Sequence, residues 1–182
     1  MKEIRIHARA GQGAITTATI LGYSYFLKGF YPYAFPHFGA ARMGAPMNAF
    51  LRVDTKPIRL RSQIYQPDYV LVVDPTLLKG FNCLVGLKEN GFAIINETEG
   101  IDKSKLNFKR KIYFVPATKI ALETIGRPLA NTCLLGAFVA IEKDLDLDSL
   151  IKALENRFAH KEVLEKNILA VKKGYDFMKG KI

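Results

Sequence analysis

The sequence predicts a three-layer α/β fold built around a mainly parallel β-sheet. Two stretches support this prediction. The segment from Tyr69 to Asp74 contains a continuous run of valine and leucine at 70–73, which is typical of a parallel strand covered on both faces. The first thirty residues have the pattern of a strand, a glycine turn and a buried helix, and strands and helices alternate in the rest of the chain. Parallel strands connected by helices therefore account for the whole pattern.

The first strand, 4–8, leads through Gly11 and Gly13 into an almost uncharged segment, 14–27. Both glycines can adopt positive φ, and because they lack a Cβ they let backbone N–H groups stand close to a ligand at the positive end of the following helix. This pattern predicts an anion-binding turn. The alternative is a glycine turn that only connects the strand to the helix.

The turn differs from a dinucleotide-binding fingerprint in two respects. Thr16 occupies the position where that fingerprint has a third glycine. No Asp or Glu occurs between Glu3 and Asp54, so the acidic residue that would hold a ribose is missing. NAD is therefore disfavoured as the ligand.

The segment after the first helix is expected to be extended. Gly29 has the position of a helix C′ residue, and Pro32 and Pro36 keep the chain extended from 31 to 38. A loop of small residues around Arg42 follows, and strand-like alternation resumes at 47–53. Residues 58–65 are too mixed in character to assign.

The remaining elements are assigned from their patterns. We expect a short helical piece at 84–88, strands at 92–96 and 112–115, and helices at 117–125 and 132–141, with two more helices at the C-terminal end. Asn131 is expected to cap the helix at 132–141, and Asp146 or Asp148 the next helix. Apolar side chains recur on one side of each of the last two helices: Leu150, Leu154 and Phe158, then Leu164, Ile168, Val171, Tyr175 and Met178.

Both of these apolar stripes are predicted to face the core, although the second would also suit packing on a partner subunit. In a Rossmann-like fold of this kind, ligands gather where the parallel strands end. The Gly11 turn, the Arg42 loop and the Asp74-Pro75 turn are therefore predicted to share one rim of the sheet.

Length and composition are those of a globular domain, since the chain has 182 residues of which 49% are hydrophobic and 24% charged. We expect one domain spanning residues 1–182. The apolar run 14–27 is shorter than the roughly twenty residues that cross a bilayer, and Met1 leads directly into a strand, so we expect a cytoplasmic protein without a membrane span. Cys83 and Cys133 are too few and too far apart in sequence for a zinc or iron–sulfur site, and are expected to be small buried residues.

The net charge of +10 raises the possibility of nucleic acid, an acidic cofactor or an acidic protein partner. One basic group comprises Arg42, Arg52, Lys56, Arg59 and Arg61, and a second comprises Lys103, Lys105, Lys109, Arg110 and Lys111. Neither group matches a nucleic-acid-binding module, and the second is expected to be a solvated loop. Nucleic acid is therefore not expected as a partner.

The sequence contains no self-contained catalytic apparatus. A nucleophile elbow, a P-loop and a paired carboxylate motif are absent, and His7, His37 and His160 have no metal-ligand spacing. We therefore assign no catalytic residue and no metal ligand. His7 is expected to be a packed strand residue, and neither His7 nor His37 is expected to be a general base.

Several short motifs, in this order and spacing, are similar to those of a known family. They are His7 to Gly13 followed by Thr16-Thr17-Ala18, Ala34 to Gly39 with Arg42 and Gly44-Ala45-Pro46, Pro67-Asp68-Tyr69, Asp74 to Leu78, Val115 to Thr118, Gly126-Arg127-Pro128, Asn131-Thr132, Glu165-Lys166-Asn167 and Gly174-Tyr175. The chain resembles the gamma subunit of 2-oxoacid:ferredoxin oxidoreductases, of which pyruvate synthase is one. The resemblance covers nearly the whole chain.

The resemblance implies a non-autonomous subunit of an enzyme that interconverts a 2-oxoacid plus coenzyme A with acyl-CoA plus carbon dioxide, and passes electrons to ferredoxin or flavodoxin. It implies that thiamine diphosphate and iron–sulfur clusters sit on sister subunits of the alpha, beta and delta types. It further implies that this chain contacts coenzyme A, and the candidate residues are Gly11, Gln12, Gly13, Thr16 and Arg42. Where the family commonly has a proline, a glutamate and a second arginine around Arg42, this chain has Ala40, Ala41 and Met43.

Two other hypotheses remain at this point. The chain could be a free-standing nucleotide-binding α/β protein, either an enzyme or a regulatory module. It could also be a nucleic-acid binder, a hypothesis that rests on the net charge alone.

Overall fold

The computed structural model describes residues 1–38, 42–101, 103, 106 and 110–182. In this part of the chain, six strands form one sheet in the order β2-β3-β1-β4-β5-β6, accompanied by five α-helices and one 3₁₀ helix. The elements are β1 (Lys2–Arg9), α1 (Ala14–Leu27), β2 (Tyr31–Phe38), β3 (Pro46–Asp54), β4 (Tyr69–Val72), the 3₁₀ helix (Pro75–Lys79), β5 (Phe92–Asn96), β6 (Lys111–Val115), α2 (Ala117–Thr124), α3 (Asn131–Ile141), α4 (Leu147–Arg157) and α5 (Lys161–Lys179).

The sheet is mainly parallel, as predicted. Strands β1, β4, β5 and β6 pair in parallel, whereas β3 pairs antiparallel with both β1 and β2. Strand β2 therefore runs in the same direction as β1, and β3 alone of the six described strands runs the other way. The carboxyl ends of the five co-directional strands lie at one edge of the sheet, which we call the carboxyl edge.

One face of the sheet is covered by helices. Ile6 of β1 and Leu71 of β4 point to this face and pack in one cluster with Phe138 of α3, and all three side chains are fully buried. Helix α3 lies in the middle of the layer and is buried along almost its whole length, which its uncharged sequence permits. Helices α1, α4 and α5 surround it.

Helices α3 and α5 approach each other through two glycines. A Cβ on Gly136 would stand 2.0 Å from the carbonyl oxygen of Val171, and one on Gly174 would stand 2.1 Å from the carbonyl oxygen of Cys133. Because any side chain would collide with backbone there, glycine is required at both positions for the helices to cross at this distance.

The opposite face of the sheet carries a different layer. Val70 and Val72 of β4 pack there against Leu77 and Leu84, in a second buried cluster. The covering segments, 55–66 and 75–88, contain the short 3₁₀ helix and otherwise consist of turns and irregular backbone. We refer to these two segments as the covering layer.

Two buried arginines attach the covering layer to the sheet. Arg52 is 1% exposed; it donates from Nε to Glu3 Oε1 (2.9 Å) and from its guanidinium to the carbonyl oxygens of Ser62 (2.7 Å) and Gln63 (3.2 Å). Arg5 donates to the carbonyl oxygens of Cys83 and Val85. Carbonyl groups of irregular backbone have no partners in a neighbouring strand or helical turn, so the guanidinium groups satisfy them.

The short helix predicted at 84–88 is wrong, because the chain forms turns there. Gly86 has a φ of +76° in the middle of the segment, and a Cβ on it would stand 2.1 Å from the carbonyl oxygen of Tyr65. The carbonyls of Cys83 and Val85 accept hydrogen bonds from Arg5, which fixes the segment in this non-helical path.

The predicted cap at Asn131 is also wrong. Helix α3 already includes Asn131, and the capping position is Ala130, which has helical φ and ψ of −67° and −15° and makes no side-chain cap. The Asn131 amide points toward the α1 turn instead, since a Cβ on Gly13 would stand 2.7 Å from its Nδ2.

Other predictions about single elements are confirmed. Gly29 has a φ of +85° just after α1, and Asp146 caps α4 by accepting from the backbone N–H of Ser149 (2.8 Å). Residues 31–38 are extended and form the edge strand β2, where Pro32 and Pro36 are tolerated because an edge strand needs fewer N–H donors.

The apolar stripes and the cysteines follow the expected burial. Leu150, Leu154, Val171 and Met178 are fully buried, whereas Phe158, Leu164, Ile168 and Tyr175 are half-buried at the margins of the helical layer. Both cysteines are buried, on opposite faces of the sheet. None of the helices in the described part of the chain is both long enough and apolar enough to span a bilayer.

We expect Gly174→Ala to lower the free energy of unfolding by about 1–3 kcal/mol, because the new methyl group would overpack the crossing of α3 and α5. This loss should exceed the gain in helix propensity that alanine brings. Urea unfolding of the purified chain measures it. Gly80→Ala is the matched control, since no atom of the described residues lies within 4 Å of the position of its Cβ; equal stability of the two variants would contradict a steric role for Gly174.

We expect Arg52→Ala to cost about 3 kcal/mol or more of unfolding free energy, because it leaves Glu3 and the carbonyls of the covering layer without their donor. Arg59→Ala, which changes an exposed arginine of the same layer, should cost less than about 0.5 kcal/mol. Proteolysis with amino-acid sequencing of the fragments should show that residues 55–66 become the preferred cleavage region in Arg52→Ala. An Arg52→Ala chain as stable as Arg59→Ala would refute the anchoring role.

Candidate functional site

The carboxyl edge of the sheet is organised by one carboxylate. Asp74 follows β4, and its Oδ1 accepts from the backbone N–H and hydroxyl of Thr76 (2.9 and 2.6 Å). Its Oδ2 accepts from Gln12 Nε2 (2.7 Å) and lies 3.3 Å from Arg9 Nε. Burial alone would raise the pKa of Asp74, but the hydrogen bonds from Thr76 and Gln12 and the charge of Arg9 outweigh it and lower the pKa. Asp74 is therefore ionised and ties β4 to the turn after β1.

The loop that contains Arg42 is attached to the same turn. The backbone of Ala10 donates to Ala45 O (2.9 Å) and accepts from the N–H of Gly44 (3.0 Å), and Arg9 donates to Gly44 O (3.1 Å). The structure thus places the Gly11 turn, the Arg42 loop and the Asp74-Pro75 turn at one rim, as predicted from the sequence. Gly39, Ala40 and Ala41 lie outside the described residues.

The two glycines of the turn have the expected conformations. Gly11 and Gly13 have φ values of +99° and +79°, which residues other than glycine rarely adopt. Gly13 is the capping residue of α1, and it has no side chain to bond the free N–H groups of the first turn. The exposed Met43 side chain lies over the other glycine, with its sulfur 2.6 Å from the position of a Cβ on Gly11.

Beside this turn lies a cleft of about 410 Å³ on the helical side of the sheet. The first turns of three helices line it, through Gly13 and Thr16 of α1, Asn131 of α3 and Glu162 of α5. None of these three helices has a side-chain cap at its N-terminus. We refer to this space as the helix-terminus cleft. Because N–H groups and the positive ends of three helix dipoles meet there, an anion would be stabilised.

Three cations surround the cleft. Arg127 comes from the loop between α2 and α3, Arg157 from the end of α4 and Lys166 from α5, and all three are exposed. Lys166 pairs with Glu162 at 2.6 Å, whereas Arg127 and Arg157 have no carboxylate partner among the described residues. Two arginines therefore remain available to a ligand in the cleft, and arginine is the side chain best suited to bind phosphate through two parallel hydrogen bonds.

The structure brings four of the five predicted binding residues together. Gly11, Gln12, Gly13 and Thr16 all line the helix-terminus cleft. The amide of Gln12 is already used within the chain, since its oxygen accepts from Arg9 N (2.7 Å) and its nitrogen donates to Asp74. Arg42 is exposed on its loop and does not line the cleft.

Sequence reasoning did not identify Arg127, Arg157, Lys166 and Asn131 as parts of a site. In the sequence, Arg127, Asn131 and Lys166 stand out only as members of the motifs of the resemblance, Asn131 also as an expected helix cap, and Arg157 has no distinguishing feature. The fold collects residues 126–128, 131 and 165–167 around the Gly11 turn, although more than one hundred positions separate them from it in sequence. The joint occurrence of these motifs was the only indication in the sequence that they belong to a site. It does not show which of the motifs are neighbours in space.

His7 is a packed strand residue, as expected from the sequence. His7 is buried on the opposite face of the sheet and accepts from Arg5 Nε at 3.1 Å. Burial and the charge of Arg5 lower the pKa of His7 to about 4, so it is neutral at physiological pH. His37 is exposed and contacts Gln63 at 3.1 Å. Neither histidine reaches the helix-terminus cleft.

The fold is that of an α/β protein in which three helix N-termini converge on one cleft. The family model for pyruvate ferredoxin/flavodoxin oxidoreductase matches residues 3–177, and the chain belongs to this family. The resemblance found in its motifs is confirmed.

Named relatives agree with this assignment. The chain is 47% identical over 154 residues to pyruvate synthase subunit PorC of Methanosarcina barkeri, covering 85% of each chain. It is 44% identical over 179 residues to the pyruvate/ketoisovalerate oxidoreductases common subunit gamma of Pyrococcus abyssi, covering 97% of this chain and 96% of the relative. The crystal structure of pyruvate oxidoreductase subunit PORC from Thermotoga maritima is similar with a TM-score of 0.84 and 37% identity, over 96% of this chain and 95% of that one.

We expect Asp74→Asn to destabilise the chain by about 1–2 kcal/mol at pH 7, because the amide removes the charge that holds Arg9. The lowered pKa of Asp74 stabilises the folded state at neutral pH, and this contribution is lost as pH falls through the folded pKa of the carboxyl. The difference between the variant and the unmodified chain should therefore shrink in acid. Urea unfolding at several pH values tests this, with the exposed Asp176→Asn as the control; a difference that does not depend on pH would exclude the charge as the cause.

Proposed function

We propose that this chain is the gamma subunit of a 2-oxoacid:ferredoxin oxidoreductase of the pyruvate synthase type. The complex would interconvert a 2-oxoacid plus coenzyme A with acyl-CoA plus carbon dioxide, and pass two electrons to ferredoxin or flavodoxin. The support for this proposal is that relatives aligned over nearly the whole chain are named as subunits of pyruvate synthase or of pyruvate/ketoisovalerate oxidoreductases.

Within the complex, we assign to this chain the binding of coenzyme A in the helix-terminus cleft. Coenzyme A carries a diphosphate and a separate phosphate on its ribose, so it needs a site that accepts several negative charges. The observation that supports this assignment is the convergence of three helix N-termini that have no side-chain cap with Arg127 and Arg157, for which the described residues provide no carboxylate partner. Gly11 and Gly13 allow the ligand to approach the backbone.

The five residues predicted from the sequence have different parts in this proposal. Gly11, Gly13 and Thr16 form the wall of the cleft at the start of α1, and Gln12 holds the turn in place through Asp74. Arg42 stands on the loop attached to the turn. Because coenzyme A is long compared with the cleft, Arg42 is assigned a second contact, to a part of the ligand that extends out of it.

The thiamine diphosphate and iron–sulfur clusters of the complex are assigned to the partner subunits, of the alpha, beta and delta types. The residues of this chain do not suit a cluster. Cys83 and Cys133 lie on opposite faces of the sheet, and burial raises the pKa of their thiols to about 11 and about 12, which disfavours the thiolate that a cluster needs. In this proposal the chain acts as one domain of a cytoplasmic complex. A free-standing nucleotide-binding protein is not favoured, because the relatives are named as subunits.

In the assembled complex, we expect Arg127→Ala and Arg157→Ala each to weaken the binding of coenzyme A by about 1–3 kcal/mol. This is the scale of a charge-assisted hydrogen bond. The Michaelis constant for coenzyme A should rise about 5-fold to 150-fold, while that for the 2-oxoacid stays unchanged. Arg127→Lys and Arg157→Lys should recover part of the lost affinity for coenzyme A, because an ammonium group provides charge without the planar fork of a guanidinium group.

Two further variants make this test selective. Lys172→Ala removes an exposed cation on α5 that does not line the cleft, and should leave both constants unchanged. Arg42→Ala should have a smaller effect than Arg127→Ala. A large effect of Arg42→Ala together with none from Arg127→Ala and Arg157→Ala would move the phosphate site to the Arg42 loop and refute the assignment to the cleft.

A further inference from the structure

The side of the molecule opposite the helices presents large apolar side chains to solvent. Tyr65, Phe81 and Val85 are 70%, 55% and 57% exposed, and all three belong to the covering layer. They border a second cleft, of about 460 Å³, whose floor is formed by strand residues that include His7 and Phe50. Exposed aromatic residues around a concave surface are typical of protein interaction sites.

This aromatic surface continues onto strand β2. The rings of Tyr33 and Phe35 are stacked with centroids 5.0 Å apart, and Phe35 lies 5.1 Å from the ring of Phe50 on β3. Arg61 of the covering layer stacks on Tyr33, with its guanidinium carbon 4.1 Å from the ring centroid. The side chains are thus ordered by contacts within the chain, which reduces the entropy that a partner would have to overcome on binding.

The covering layer is basic. Residues 55–66 and 75–88 contain Lys56, Arg59, Arg61, Lys79 and Lys88 and no Asp or Glu. Among the carboxylates that flank these segments, Asp54 pairs with the N-terminus and Asp68 with Lys88, whereas Glu89 is exposed. Because Asp68 neutralises Lys88, the positive charge of the surface comes from Lys56, Arg59, Arg61 and Lys79. By contrast, residues 117–182 carry eleven Lys and Arg against nine Asp and Glu, so the helical layer contributes little to the net charge.

We propose that the covering layer and the exposed side of β2 form the surface on which a sister subunit of the complex docks, through an acidic patch that surrounds an apolar side chain inserted in the 460 Å³ cleft. Charge complementarity identifies this occupant. A basic surface attracts and orients an acidic one, whereas a second copy of this chain would bring like charges together. The inference rests on the proposed role as a subunit, but not on the binding of coenzyme A.

The edge strand β2 favours docking by side chains over docking by strand addition. Strand addition needs a row of free backbone N–H groups along the edge. Pro32 and Pro36 lack that group, so the edge is a poor template for a further strand.

The test compares two pairs of variants of the surface with matched controls, in complex purified through an affinity tag on another subunit. Tyr65→Ala with Phe81→Ala removes the aromatic side chains, and Arg59→Glu with Arg61→Glu reverses the charge. Phe26→Ala, at 57% exposure on α1, and Lys152→Glu with Lys172→Glu, on the helical layer, are the controls. Thermal unfolding of each chain first establishes that it folds, and native mass spectrometry at decreasing concentration then gives the fraction that remains assembled.

We expect the aromatic pair to raise the dissociation constant of this subunit more than tenfold. The charge-reversed pair should prevent assembly at physiological salt, while the controls assemble like the unmodified chain. The isolated surface variants should keep the coenzyme A affinity of the isolated unmodified chain, since they lie on the opposite side of the sheet from the helix-terminus cleft. If Arg127→Ala and Arg157→Ala lose coenzyme A binding but assemble normally, the docking surface and the coenzyme A site are shown to be separate.

Three results would overturn the inference. The first is normal assembly of both surface pairs. The second is a self-associating chain in sedimentation experiments whose dimer is lost in the aromatic pair, which would make a second copy the occupant. The third is salt-sensitive binding of a duplex DNA or RNA oligonucleotide that is lost on charge reversal without any effect on assembly.

Discussion

The buried guanidinium groups of Arg5 and Arg52 are the constraint on which the architecture depends. A parallel sheet must be covered on both faces, and here the second cover consists of turns and irregular backbone. Such backbone brings carbonyl groups to an apolar surface, where each unpaired group costs free energy. The two arginines supply donors from the sheet itself, and Glu3 balances the charge of Arg52. Irregular segments can therefore replace a helix on this face, and their exposed sides remain free to carry aromatic and basic residues.

This constraint gives the two sides of the sheet different chemistry. On the helical side, Thr132 near the start of α3 donates to Asn167 of α5 (2.9 Å), the first turns of these two helices line one cleft, and the Gly11 turn adds the start of α1. Local backbone dipoles thus create the positive potential of the helix-terminus cleft. On the other side, the positive potential comes from side chains of the covering layer. Two anion-attracting surfaces of different origin are separated by the thickness of the sheet.

The parts of the fold that sequence predicts well are those decided by local physics. The span of α1, the positive φ values of Gly11 and Gly13 and the buried strand β4 follow from side-chain pattern and from the freedom of glycine. The sequence predicts a helix at 84–88, whereas the structure has Gly86 at positive φ there and holds the carbonyls of Cys83 and Val85 on Arg5, about eighty positions earlier. Likewise Asn131 has the identity of a cap, but lies against Gly13. The candidate site was predicted only where it touches the first turn, since Arg127 and Arg157 reach it through the tertiary fold.

The network around Asp74 connects the two sides. Oδ2 of Asp74 contacts Arg9 and Gln12, and Gln12 lines the helix-terminus cleft. Oδ1 caps the 3₁₀ helix that begins the 75–88 segment of the covering layer. A displacement of that segment on docking would therefore act on a residue that positions the Gly11 turn. The physical requirement for such coupling is an element in contact with both surfaces, and Asp74 meets it through hydrogen bonds of 2.6–2.9 Å to Gln12 on one side and Thr76 on the other. Any effect of docking on the affinity for coenzyme A that passes through this carboxylate must be matched by an equal effect of coenzyme A on assembly.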